Sequence, residues 1–106
     1  MESTIALRTS TGIKFICFID ILYCIADGRY THVFLQNGKS ILTARLLKSF
    51  ERKLPGDLFL RINKSYIINL SFITDYSRSG SVLLVLGVST ELGVSKRRKK
   101  KIFEME

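Results

Sequence analysis

A chain of 106 residues fits one compact domain, residues 1–106, because two cores of half that size would each be too small to stand alone. Hydrophobic residues make up 46% of it and charged residues 25%, a globular balance that excludes the disordered class. The 17 Lys plus Arg against 9 Asp plus Glu leave a net charge of +8 and a pI near 9.8, which calls for a polyanionic partner without separating DNA from RNA or an anionic membrane surface.

Residues Thr4 to Leu7 and Ile13 to Phe18 are rich in β-branched and aromatic side chains, and Ser10-Thr11-Gly12 separates them, which predicts a first hairpin. A second is predicted from Ile21 to Ala26, the turn Asp27-Gly28 with Arg29 at its exit, and Tyr30 to Leu35, since Asp-Gly between apolar runs is a strong short-range hairpin signal. Asn37-Gly38 turns the chain again into Ser40 to Leu42. Leu46, Leu47, Phe50 and Leu54 then recur on one helical face, with Thr43 as candidate cap. Pro55 ends this helix, because it disfavours helical geometry at the residue before it.

Beyond it, Leu58 to Ile62, Tyr66 to Leu70, Ile73 to Tyr76, Val82 to Leu86 and Thr90 to Val94 read as strands, with Ser77 to Ser81 as a turn. The fold class is mostly β with one or two short helices. Phe15, Phe18, Phe34, Phe50 and Phe59 fall in apolar patterns and are expected in the core. Cys17 and Cys24 lie in strands that read as buried and form no CxxC pair, so they are expected as core thiols rather than metal ligands. The sequence shows neither a basic leader followed by an apolar stretch nor an apolar run of membrane-spanning length, and a cytoplasmic location is the expectation.

Three constellations stand out. The run Lys96-Arg97-Arg98-Lys99-Lys100-Lys101 follows Ser95, a candidate N-cap. A helix starting there sets cations against the positive end of its dipole, a conflict that a phosphate partner would relieve; a solvated basic tail is the competing reading. Between Arg61 and Asn69, Asn63, Lys64 and Ser65 interrupt two apolar runs as a turn chemically suited to bases and phosphates, although an ordinary turn closed by local side-chain bonds gives the same pattern. Asp27-Gly28-Arg29-Tyr30 presents a guanidinium and a phenol at a hairpin tip, where a surface arginine is also unremarkable. His32 sits in an alternating strand with no assignable nucleophile or carboxylate partner, so no enzymatic activity and no cofactor are expected.

Ile21 to Gly38 (ILYCIADGRYTHVFLQNG), Leu54 to Ile73 (LPGDLFLRINKSYIINLSFI) and Gly93 to Ile102 (GVSKRRKKKI) together resemble the LytTR family, the DNA-binding domain of LytR and AgrA type bacterial response regulators. The middle segment is the specific one: aromatic, Arg, a polar pair, Ser, aromatic and Asn in fixed order. The resemblance implies an elongated arrangement of antiparallel sheets whose loops, rather than a recognition helix, enter successive major grooves. Carried onto this chain, it implies base contacts from Arg29, Lys64 and Arg97, with Tyr30, Asn63, Ser65, Lys96, Lys99 and Lys100 as phosphate or supporting contacts. Where the family often has His, this chain has Asn63, and its basic run is denser than the resemblance requires.

The function this implies is sequence-specific binding of duplex DNA by a transcription regulator, with a second copy on a repeated promoter site and, if the chain is an excised domain, an upstream receiver domain or sensor kinase pathway. An RNA-binding or ribosome-associated module is the alternative; it would need exposed aromatics to stack on unpaired bases. A domain docking its basic tail on anionic lipid ranks third, since the tail lacks a broad apolar face.

Overall fold

The computed structural model describes residues 3–105. Its first hairpin joins β1 (Thr4–Thr9) to β2 (Gly12–Cys17), with Thr4 opposite Cys17 and Thr9 opposite Gly12. Strand alternation sends Ile5 and Leu7 inward with Ile16 packed beside them, so Phe15, opposite Ala6, points outward and is 72% exposed. Phe15 is therefore not a core residue: a period of two leaves alternate apolar positions on the outer face of a two-stranded hairpin. Cys17 shares that outer face and is exposed, whereas Cys24 is buried, so the expectation of core thiols holds for Cys24 alone. Phe18, Phe50 and Phe59 are buried as expected, and Phe34 is half-buried.

A short 3-10 turn, Phe18–Asp20, leads into the central five-stranded antiparallel sheet. Its members are β3 (Ile21–Asp27), β4 (Tyr30–Leu35), β5 (Ser40–Thr43), β6 (Phe59–Arg61) and β7 (Tyr66–Asn69), in spatial order β5-β4-β3-β7-β6. One face, carrying Cys24, Val33, Ile41, Phe59 and Ile67, packs against the first hairpin and helix α1 (Leu47–Lys53) through Leu47, Phe50 and Leu54. Two expectations about that helix are corrected. Leu46 is extended and 53% exposed just before the first turn, and Thr43 ends β5, where its hydroxyl donates to the Arg8 carbonyl at 2.7 Å instead of capping. At the far end Leu54 is extended (φ −82°, ψ 140°) ahead of Pro55, as the proline ring demands.

The opposite face, with Leu60 and Ile68, packs under a three-stranded sheet of order β10-β9-β8. Those strands are β8 (Ile73–Tyr76), β9 (Val82–Val85) and β10 (Leu92–Gly93). The chain closes with α2 (Lys99–Phe103), whose Ile102 enters this second core. Gly80, at φ 77°, is required in the β8–β9 turn: a Cβ there would meet the Tyr76 hydroxyl at 2.9 Å and the Phe103 ring at 3.0 Å. Asn69 is wholly buried and satisfied, donating to Ile21 O at 2.9 Å and accepting from Ser71 N–H at 2.9 Å. The antiparallel layers form an elongated body of 44 × 28 × 24 Å. Among the described residues no helix is long and apolar enough to cross a membrane.

Candidate nucleic-acid interface

Strand register collects three distant segments at one end of the central sheet. Asp27 faces Tyr30 across a two-residue turn, Gly28-Arg29, with Gly28 at φ 58° and no positive φ at Arg29. That combination belongs to type II′ geometry, whose twist matches the strands it joins; Arg29 thus lies within the turn rather than at its exit. Beside this hairpin, Ser65 accepts from the Ala26 N–H at 2.9 Å, and β7 starts at Tyr66 opposite Ile25. The tip therefore overshoots the central turn by two to three residues, about 7–10 Å of extended chain. On the other side, Ser95 N–H donates to Ile62 O at 2.8 Å, which starts the basic run next to the same turn.

The central turn is held from within. Asn63 Oδ1 accepts from the Ser65 and Tyr66 N–H groups at 2.8 and 2.9 Å, and Nδ2 donates to Gly93 O at 2.7 Å. With three of its bonds made, this amide holds backbone rather than offering a bidentate edge to a base. From below, Arg61 donates through Nε to Asn63 O (3.2 Å) and through Nη2 to Lys64 O (2.8 Å). Ile62 is wholly buried between them. Lys64 is left outermost, its side chain exposed and making no hydrogen bond among the described residues.

The basic run is held more loosely. Lys96–Arg98 form a 3-10 turn that passes into α2, and Ser95 occupies the N-cap position without a side-chain cap bond. Five α-helical residues accumulate little dipole, so the charge conflict that a longer helix would create is small. Arg98 turns back to Glu51 Oε2 at 3.2 Å, and Lys99 Nζ reaches Ser79 O at 3.4 Å. Lys96, Arg97 and Lys100 are exposed, with no ion-pair partner among the described residues. At the tip, Arg29 and Tyr30 are exposed, Tyr30 at 48%. Asp27 Oδ2 meets His32 Nε2 at 3.0 Å, so, contrary to expectation, the histidine has a carboxylate partner, brought to it by the turn five residues back.

Lys48, Lys64, Ser95 and Arg97 line one cleft together with Glu51, Arg61 and Arg98. Arg61 and Arg98 lie in segments that stand out in the sequence, but Glu51 is a functional candidate that sequence reasoning passed over. Its partners lie 10 and 47 positions away in the chain, beyond any local pattern. Elsewhere, burial pushes the Cys24 thiol up to about 12, which leaves it protonated and unreactive. Burial, followed by the neighbouring Tyr66, raises Tyr23, and burial alone raises Tyr76.

The model of the LytTr DNA-binding domain family matches residues 11–105 of the chain. The CO-responsive transcriptional regulator RcoM of Rhodospirillum rubrum is 32% identical over 74 residues, covering 68% of this chain and 31% of that protein; the chain thus spans about a third of that relative. A solved structure described as the LytTr DNA-binding domain of a putative methyl-accepting/DNA response regulator from Bacillus cereus superposes with a TM-score of 0.74. It is 25% identical and covers 97% of this chain and 95% of its own.

Proposed function

The chain belongs to the LytTr DNA-binding domain family, and from that premise we propose that it recognises a short promoter sequence in duplex DNA and alters transcription there. Arg29, Lys64 and Arg97 read bases in successive major grooves, while Tyr30, Ser65, Lys96, Lys99 and Lys100 bind phosphate and Asn63 holds the central turn in shape. The observation that carries this reading is the convergence of the hairpin tip, the central turn and the basic run on one end of the sheet, where Arg29, Lys64 and Arg97 are exposed without an ion-pair partner among the described residues. A second copy occupies the other half of a direct or imperfect repeat. A receiver domain, or a sensor kinase pathway acting through one, is the natural source of control.

An RNA-binding role has in its favour the exposed rings of Phe15, Tyr30 and Phe103. Against it, Tyr23 and Phe34 stack on each other with centroids 4.7 Å apart, so one face of each of these half-buried rings is already engaged. Selection from a random duplex library, followed by binding across salt concentrations and competition with single-stranded RNA, tests the proposal. An enriched duplex motif with a steep salt dependence is expected; no enrichment, or preferential loss to RNA, sinks it.

A further inference from the structure

Two of the three segments at the sheet end share one carboxylate. Glu51, on α1, gives Oε1 to Arg61 Nη1 at 3.3 Å and Oε2 to Arg98 Nη2 at 3.2 Å. Arg61 in turn holds the carbonyls of Asn63 and Lys64, and Arg98 is the residue after Arg97. Neither arginine is freely solvated: their side chains are 20% and 26% exposed, against 35% for Glu51. A negative charge in the lining of a cleft that also holds Lys48, Lys64 and Arg97 opposes phosphate binding on charge alone.

We infer that Glu51 is a positioning residue for DNA reading: it locks the central turn to the basic run, so that Lys64 and Arg97 are held in a fixed relative register before DNA arrives. The connection has two further strands, Asn63 Nδ2 to Gly93 O and Ser95 N–H to Ile62 O, but only Glu51 ties both to a helix. Holding groups in place before binding lowers the ordering cost of association. Without the carboxylate, Arg61 and Arg98 repel each other, and Arg98 is released to compete with Arg97 for the same groove. This inference rests on the proposed base contacts.

The two possible roles of Glu51 predict opposite signs for Glu51→Gln. As a mere unfavourable charge, its removal strengthens binding to every duplex alike. As a positioning residue, its removal weakens the selected site about tenfold while leaving an unrelated duplex unchanged or slightly tighter, so the specificity ratio falls. Glu51→Asp, which keeps the charge on a shorter arm, restores part of that ratio. Amide hydrogen exchange of the DNA-free 106-residue chain decides independently of any site: residues 63–66 and 96–99 exchange faster in Glu51→Gln, while the β3–β4 ladder does not. Equal strengthening on both duplexes, or unchanged exchange in both segments, overturns the inference. If no duplex motif is ever enriched, the DNA-reading proposal falls, and the exchange result still judges the lock.

Discussion

The central turn, residues 62–66 with one cation, and the basic run, residues 96–101 with six, lie side by side and are built in opposite ways. Residues 62–66 are fastened by the Asn63 amide, by two donors of Arg61 and by the buried Ile62. Residues 96–101 rest on a 3-10 turn without a side-chain cap, one ion pair at Arg98, one long Lys99 contact and the anchor Ile102. The difference teaches that a single polar side chain can decide geometry where several charged ones only supply field. A turn whose donors and acceptors are closed inward presents one residue, Lys64, in one place; an open run presents many cations whose positions DNA itself can adjust.

The largest expected effect tests the closed turn. Asn63→Ala strands two N–H groups and the Gly93 carbonyl, and it should cost about 2–3 kcal/mol of stability by urea denaturation. It should also weaken the selected site more than an unrelated duplex. A change within about 0.5 kcal/mol, the range of ordinary surface substitutions, would show that Arg61 alone holds the turn closed.

Next comes Arg97→Ala, expected to cost about 1–3 kcal/mol on the specific site and relax preference at one base position, with unchanged thermal melting because Arg97 has no protein ion-pair partner among the described residues. Equal loss on all sequences would make it a phosphate contact instead. Lys100→Ala belongs to the adjustable part: it should weaken every duplex alike and reduce the salt slope by about one, and an unchanged slope removes Lys100 from the interface.

The smallest effect is chemical. Cys24 pairs with Ile67 just inside the closed turn and its thiol is pushed up to about 12, while Cys17 is exposed on the outer hairpin. At pH 7–8 a thiol reagent should label Cys17 promptly and Cys24 only through opening of the sheet, because the buried thiol stays protonated throughout that window. Asn63→Ala should speed the second reaction, and equal rates in both proteins would show that the turn does not guard this end of the sheet.

Much of the fold was legible because its signals are local. The Asp27-Gly28 turn, the run Tyr30–Leu35, the strand Ile73–Tyr76 and the helix stop at Pro55 all appear where residue type and spacing place them. The segments bearing the candidate site were legible too: Arg29-Tyr30, Asn63-Lys64-Ser65 and the cations after Ser95 stand out by composition. Phe15, Leu46, Cys17 and the Thr43 cap were misread for a common reason. Each has the chemistry of an inward or capping residue, and only its pairing partner or preceding turn says which way it points.

By itself, then, the sequence determined a basic, mostly β chain, its turns, and the three polar or basic segments that stand out from the apolar strands, since each depends on neighbours within a few positions. The tertiary structure alone decided that those segments share one end of a sheet, that Asn63 faces its own backbone, and that Glu51 joins Arg61 to Arg98. Those facts depend on antiparallel register across five strands and on a carboxylate whose second partner is 47 residues away, where no periodicity in the chain can reach.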